Sequence, residues 1–425
     1  MGQRRLTGYV DVIVGAQYGD EGKGKVVDLI GGDYDIVVRY QGGANSGHTV
    51  ISTDGIKHIF RILPSSVLRP NVISVLGNGV VVDPVVLAKE LRSIPDNSDV
   101  LLSTKAHITF PFHRVMDMVT EAKGNKIGST CRGNSPTYVD KYARTGIQFG
   151  MINESGDLPT AYALLRRQYE RKLLAAGIDA PYYSFELDGM PILDYEALWL
   201  DSLSYIMDRV SVVRTEDFLY ESILGNKKIL LEGAQGAMLD VDFGDYPYVT
   251  SSHVTSGGAC IGSGIPPTAI RKVMGVCKLY TTRVGAGRFS TELYNGVGKL
   301  NPIGKLMSDV GCEFGSVTGR ARRCGWLDLD ELKYSCRING ISELYIMKSD
   351  VLTGIEEVKI MIDGKYRCFD GWTASQMSDV GSIPEELSDM IDSIEAATEA
   401  KVVYVSKGAE RNNGYFRYNR GYGVK

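Results

Sequence analysis

The stretch GDEGKGKV at residues 19–26 has the glycines and lysines of a phosphate-binding loop, with two carboxylates where bound phosphates would repel them. Gly19, four residues, then Gly24-Lys25 satisfies G-x-x-x-x-G-K, but Val26 stands where a serine or threonine would hold Mg2+. Glycine loops let backbone N–H groups close on phosphate oxygens, and Lys23 or Lys25 adds positive charge. Asp20 has two chemistries open to it. It could replace the missing hydroxyl as an Mg2+ ligand, or take a proton from a second substrate held beside the γ-phosphate. Activating a water needs no such group inside the loop; phosphorylating a second substrate does.

Three further stretches carry chemistry at glycine turns. YQGGANSGHTV (40–50) ends in polar tips Asn45, Ser46, His48 and Thr49, and a histidine there can donate to charge developing on a phosphate or simply lie on a surface loop. In MKSD (347–350) an aspartate follows an apolar run and can accept from both N1–H and the 2-amino group of guanine, a pairing adenine cannot match. VSKG (405–408) could complete that pocket through its backbone amides. GSVTGRARRCGW (315–326) packs Arg320, Arg322 and Arg323 beside Thr318 and Gly319, and guanidinium forks match the carboxylates of a small dicarboxylate. His58, His107, His113 and His253 read as structural or surface residues.

These turns must be held by something. Short apolar runs rich in β-branched residues recur at 11–19, 35–43, 72–79, 227–236, 274–287, 343–350 and 401–408, most ending in a Gly- or Asp-bearing turn. Continuous apolar runs fit strands buried on both faces, as in a parallel sheet covered by helices. Apolar residues at three- and four-residue spacing predict helices over 159–178 and 194–211, and Pro384 followed by two glutamates opens a third over 384–401. The phosphate loop reads as strand, turn and short helix, stopped at Gly31-Gly32. The expected architecture is α/β: one large domain over 1–425 with a mostly parallel central sheet flanked by helices, P-loop-NTPase-like, and a mainly helical insertion over roughly 105–225. Ligands in such sheets bind outside the carboxyl ends of the strands, where these turns fall.

Composition narrows the class. With 47 basic against 51 acidic residues the net charge is −4, so the chain carries no electrostatic footprint for nucleic acid. The seven cysteines form no C-x-x-C pair, which reads as reduced thiols in a cytoplasmic protein with neither a disulfide framework nor a zinc site. No apolar run reaches membrane-spanning length, and the first residues lack a signal-peptide core.

Taken in order, QYGDEGKGK, QGGANSGHT, STCRGNSPTYVDKYARTGI, EGAQGAMLDVDFGDYPYVTSS, YTTRVGAGRFSTEL, VTGRARRCGWLDL and KSDVLTG closely resemble the adenylosuccinate synthetase family, from residue 12 to about 411. The resemblance implies a GTP-driven ligase joining IMP to L-aspartate through a 6-phosphoryl intermediate. The products are adenylosuccinate, GDP and phosphate, in the first committed step from IMP to AMP. It also implies Mg2+ and a cytoplasmic homodimer. By the same resemblance Asp20 is the base that removes the purine N1 proton and, with the Gly47 carbonyl, a metal ligand; His48 is an acid and Lys23 holds the transferring phosphoryl group. Gln235 joins them as a catalytic residue. GTP would be held by Gly19, Asp20, Glu21, Gly22, Lys23, Gly24 and Lys25, by Gly47, His48 and Thr49, by Arg322, and around guanine by Lys348, Ser349, Asp350, Ser406, Lys407 and Gly408. IMP would meet Asn45, Thr130, Gln235, Thr250 and Arg320, with Arg144 reaching the partner subunit's nucleotide. Ser316, Val317, Thr318, Gly319, Arg320 and Arg322 would form the aspartate loop.

Several positions depart from the family's pattern. Tyr18 replaces Trp, Ala44 His, Ser46 Ala, Cys131 Gly and Val317 Thr, while Asn134 and Ser135 turn the usual GIGPAY into GNSPTY. A phosphate loop with MKSD and VSKG would also suffice for a GTP-binding switch, but Val26, Asp20 and the arginine loop speak against one. A related group of synthetases acts on a guanine nucleotide and lacks the loop aspartate, so Asp20 separates this chain from it.

Overall fold

The structure, a computed structural model, describes residues 7–51, 56–123, 127–155, 157–296, 299–314, 319, 321–379 and 381–418. Its centre is a ten-stranded sheet built from β1 (Tyr9–Gly15), β2 (Ile36–Arg39), β3 (Ile73–Leu76), β4 (Val100–Ser103), β5 (Ser211–Val213), β6 (Lys228–Glu232), β7 (Ile270–Lys278), β8 (Ile341–Met347), β9 (Lys401–Ser406) and β10 (Gly414–Phe416). The order across the sheet is β5-β4-β3-β2-β6-β1-β7-β8-β9-β10. Nine strands run parallel, and only β10 turns back against β9.

The mostly parallel sheet agrees with the apolar runs, and the reason is visible in β1. Val10 to Gly15 are all buried, between β6 on one side and β7 on the other, so no face is left for polar alternation. The one charge inside it, Asp11, is neutralised by Arg271 and takes a 2.6 Å hydrogen bond from the Tyr34 hydroxyl. The run at 274–287 is the exception to a one-run, one-strand reading. β7 stops at Lys278, and Tyr280–Arg283 passes to a separate four-stranded sheet with Arg323–Asp328, Glu357–Ile362 and Lys365–Asp370.

Helices form at Leu158–Ala175, Ile192–Arg209 and Glu385–Thr398, close to the periodic segments. Pro384 caps the last of these rather than entering its first turn, and Glu385 and Glu386 face the positive end of the helix. Residues 105–225 contain these first two helices together with Pro111–Lys123, α2 (Asn134–Ala143), Phe149–Ser155 and Thr215–Leu224. They also contain β5, which returns to the edge of the central sheet beside β4. Phe110, Phe112, Tyr169, Trp199 and Tyr195 there join a core that also takes in Val50, Phe60, Leu76 and Leu102. Among the described residues no helix is long and apolar enough to cross a membrane.

Adjacency in the sheet decides which turns meet. β2, β6 and β1 are neighbours, so the turns that follow them (40–47, 233–236 and 16–22) crowd one rim. β8 and β9 are also neighbours, bringing 348–350 next to 406–408.

Candidate active site

The phosphate loop closes around its own second carboxylate. Glu21 is fully buried; it accepts from the backbone N–H groups of Gln17 (3.1 Å) and Gly19 (2.8 Å) and pairs with Lys23 Nζ at 2.6 Å. A Cβ on Gly15 would lie 2.4 Å from the same carboxylate and 2.5 Å from the Gln235 carbonyl, so glycine is required where the loops after β1 and β6 touch. Gly22 enters α1 (Lys23–Gly31) with φ near +98°, another conformation that favours glycine. One acidic side chain thus points inward as structural glue, and the other points out.

Asp20 is the outward one. It sits in the left-handed region at φ 57°, about a third exposed, and its Oδ2 lies 2.9 Å from Arg322 Nε. Arg322 in turn donates from Nη1 to Glu313 at 2.6 Å. Glu313 was not singled out by any motif, yet it is a completely buried hub. It also accepts from Tyr280 (2.6 Å) and Lys348 (2.7 Å), with Lys278 at 3.4 Å. Burial works to raise its carboxyl, but Lys278, Lys348 and Arg322 together hold it well below the usual range.

The second constellation surrounds His48, which opens the hairpin His48–Ile51 with Lys57–Phe60. Its Nδ1 is 2.5 Å from Glu232 Oε1 at the end of β6, and Arg39 Nη1, from the end of β2, lies 3.1 Å away. Glu232 is further fixed by the Ser65 amide (2.9 Å) and hydroxyl (2.6 Å). Burial, then the Arg39 guanidinium, lowers His48 to about 4, with Glu232 pulling the other way. Burial would raise Glu232, but His48, Arg39 and Ser65 hold it near 2. Glu232 and Arg39 were missed in the sequence. The signal was present, since both are charged residues ending an apolar strand just before a glycine turn.

A third group consists of amides. Asn45 Oδ1 accepts from Gln235 Nε2 and from Asn134 Nδ2, each at 2.9 Å, and Asn45 Nδ2 approaches Thr250 Oγ1 at 3.5 Å. Thr130 lines a cleft with Cys131 and Arg132, walled by Arg114, Ser184, Phe185, Glu186, Asp188 and Gly189. Arg144 is exposed in the left-handed cap that ends α2, on the helix that also exposes Val139 and Tyr142.

Farther along the same edge of the sheet Ser349 Oγ donates to the Ser406 carbonyl (2.6 Å), and Lys25 Nζ ties α1 to Ser406 Oγ (2.8 Å) and the Gly408 carbonyl (2.7 Å). Burial lowers Lys25 to about 8. Lys407 turns away to the carbonyls of Asp379 and Ser382. Asp350 Oδ1 is buried with no hydrogen-bond partner, and burial raises its carboxyl. That is an acceptor awaiting a donor. Gly319 is described, at φ 64°, whereas Ser316, Val317, Thr318 and Arg320 lie outside the described residues.

Most departures from the family pattern that fall on described residues have polar partners. The Tyr18 hydroxyl donates to Glu331 (2.8 Å), Ser46 accepts from Arg39 Nη2 (2.8 Å), and the Ser251 hydroxyl bonds to Ser135 (2.9 Å). Asp240, Asp242 and His253 bring ligand atoms within 4.8 Å of one another, but the Asp240 carboxylate is taken up by the N–H groups of Asp242, Phe243, Val254 and Thr255. It is a loop anchor.

A parallel sheet with a glycine loop after its first strand, a buried aspartate oxygen without a partner and an arginine paired to the loop carboxylate fit a nucleotide-dependent group-transfer enzyme. The family profile described as adenylosuccinate synthetase matches residues 12–367. The adenylosuccinate synthetase of Flavobacterium psychrophilum is 42% identical over 432 residues, covering 95% of this chain and 98% of the relative, and that of Chlorobaculum tepidum is 40% identical over 441 residues (96% and 97%). The solved structure of the fully ligated enzyme from Plasmodium falciparum superposes with a TM-score of 0.86 at 36% identity, covering 97% of this chain and 100% of that one. A cyanophage S-2L succinoaminodeoxyadenylate synthetase shares the fold, with a TM-score of 0.61 at 22% identity. The chain belongs to the adenylosuccinate synthetase family, GTP-dependent ligases of purine nucleotide biosynthesis that join IMP and L-aspartate.

Proposed function

We propose that this chain carries out the ligation in two steps around Asp20. Its carboxylate removes the N1 proton of IMP, and the 6-oxygen attacks the γ-phosphorus of GTP, with GDP leaving. The amine of L-aspartate then adds at C6, and phosphate departs with the former 6-oxygen as the amine gives up a proton. A purine carbonyl is a poor leaving site until phosphorylated, so one hard substitution becomes two easier ones.

The observation that carries this reading is the divided labour of the two loop carboxylates. Glu21 is buried against Lys23 and the loop amides, whereas Asp20 faces outward, 2.9 Å from an arginine of the dicarboxylate loop. A base for IMP and a cation for aspartate are therefore side by side. Lys23, anchored by Glu21 and the Gln235 carbonyl, is the phosphoryl-holding cation, and His48, fixed by Glu232, acts on the leaving side. Asn45, Gln235 and Thr250 hold IMP, with Thr130 and Arg320 completing its site. Gly19, Gly22, Gly24 and Thr49 frame the phosphates, and Lys348, Ser349, Asp350, Ser406, the backbone of Lys407 and Gly408 frame guanine, whose N–H donors fill the unpaired Asp350 oxygen.

The Asp20 carboxylate, about a third exposed with Arg322 at one oxygen only, and the Gly47 carbonyl are hard oxygen donors suited to Mg2+. When bound there, Mg2+ neutralises charge on the phosphoryl oxygens. The whole chain acts as one domain, and residues 105–225 are a mainly helical insertion within it. The enzyme works in the cytoplasm as a homodimer, with the exposed Arg144 reaching the second subunit's nucleotide.

The test is Asp20→Asn, expected to lower turnover by about 10²–10⁴, the usual range for losing a positioned base, while GTP still binds. Retained synthesis would refute the assignment.

A further inference from the structure

Asn134 is where the family pattern has isoleucine, yet it is one of the two donors to the central oxygen of the amide group, Asn45 Oδ1. It is the first residue of α2, 7% exposed, and follows Gly133 in the left-handed region at φ 76°. A Cβ on Gly43 would lie 2.6 Å from Asn134 Nδ2, so the backbone after β2 is pressed onto this side chain and holds its rotamer. Ser135, the next departure, is tied by 2.9 Å to the Ser251 hydroxyl, beside Thr250. The start of α2 is thus stitched to both strands of residues that frame the nucleotide.

We propose that Asn134 is a positioning residue for IMP, setting the direction of the Asn45 amide so that its N–H groups face the nucleotide. Asn134 Nδ2 and Gln235 Nε2 converge on the same oxygen, Asn45 Oδ1, each at 2.9 Å. Two donors on one carbonyl turn the Nδ2 end of Asn45 the other way, toward Thr250 at 3.5 Å. A purine nucleoside monophosphate is rich in acceptors, in its phosphate and its 6-carbonyl, so the donor end is the useful one. Gln235 alone would leave the Asn45 amide held by a single bond and freer to reverse. Asn134 Oδ1 is buried with no hydrogen-bond partner among the described residues, so Nδ2 carries this side chain's contact with the amide group.

The inference rests on the reading that Asn45 contacts IMP, and the two are separable in a double-mutant cycle read by steady-state kinetics. Asn134→Ile, which restores the family residue, should raise the KM for IMP about three- to tenfold, the worth of one net hydrogen bond. The kcat and the KM values for GTP and L-aspartate should change by less than about twofold, which a general loss of structure would not spare. Asn134→Asp can only accept at that position, so it turns the Asn45 N–H groups inward and should raise the KM further, at least about tenfold. In an Asn45→Ala background Asn134→Ile should have no additional effect. If Asn45→Ala itself leaves the KM for IMP unchanged, the reading of the nucleotide site fails and this inference with it. If Asn45→Ala raises it while Asn134→Ile does not, or the two effects multiply independently, or Asn134→Asp is harmless, the positioning role alone is overturned.

Discussion

Replacing Glu313 by glutamine keeps the shape of a buried hub and removes its charge. Three cations meet that carboxylate, and they differ in what they can do when it is gone. Arg322 keeps Asp20 at 2.9 Å, and Lys348, with 30% of its side chain exposed, can turn to water. Lys278 is wholly buried, and Glu313 is its one ion-pair partner among the described residues. An uncompensated buried charge costs about 3–5 kcal/mol, so Glu313→Gln should lose stability of that order. Burial already lowers Lys278, and without Glu313 it should titrate lower still. The folded variant then sheds a proton that the unfolded chain retains, so its deficit shrinks as pH rises toward the ordinary lysine value. Urea unfolding at neutral and alkaline pH measures both effects. Kinetics supply a second axis: Lys348 belongs to the proposed guanine rim and Arg322 to the dicarboxylate loop, so the KM values for GTP and L-aspartate should rise together, about tenfold each. Each loses one charge-assisted hydrogen bond. The KM for IMP should stay near that of the parent, because the contacts found for the Asn45 group do not include Glu313. An unfolding free energy within about 0.5 kcal/mol of the parent, or a rise confined to IMP, would refute the hub.

Asp350→Asn should reduce the preference for GTP over ATP by at least about a hundredfold, since the unpaired buried oxygen is what adenine leaves unmet. An unchanged ratio of kcat/KM values would remove Asp350 from the guanine rim. Glu90 is buried and accepts from the backbone N–H groups of Arg61, Ile62 and Leu63, and burial pushes it up to about 7 from 4.5. Between those values the folded protein holds a proton the unfolded chain releases, so stability falls as pH rises through that window. Glu90→Gln should flatten that slope relative to the parent in thermal unfolding at about pH 5 and about pH 7.5, and an identical slope would show that Glu90 does not titrate there.

The sheet was legible because its inner strands are buried on both faces, and that leaves continuous apolar runs. β4 and β5 were not, being only four and three residues long, with β5 at the edge of the sheet and half exposed. The break at Leu279 was hidden for the opposite reason, since apolar residues continue across it into a second sheet. At the site, loop composition announced two carboxylates, but nothing local said that Glu21 folds inward and Asp20 outward. That depends on Lys23 and on the glycine contact with the loop after β6. Glu232 lies 184 residues from His48, and Glu313 joins side chains from 278 to 348, so their roles arise only from strand adjacency. Asn134 was visible as a departure, and its partner was not.

The most direct test of the central claim follows the 6-oxygen itself. With IMP labelled by ¹⁸O at position 6, GTP and L-aspartate, the phosphate released during synthesis should carry the label in step with adenylosuccinate formed. Asp20→Asn should slow both together. Unlabelled phosphate accompanying adenylosuccinate would contradict phosphorylation of the 6-oxygen, and with it the role of Asp20 as the base that starts the reaction.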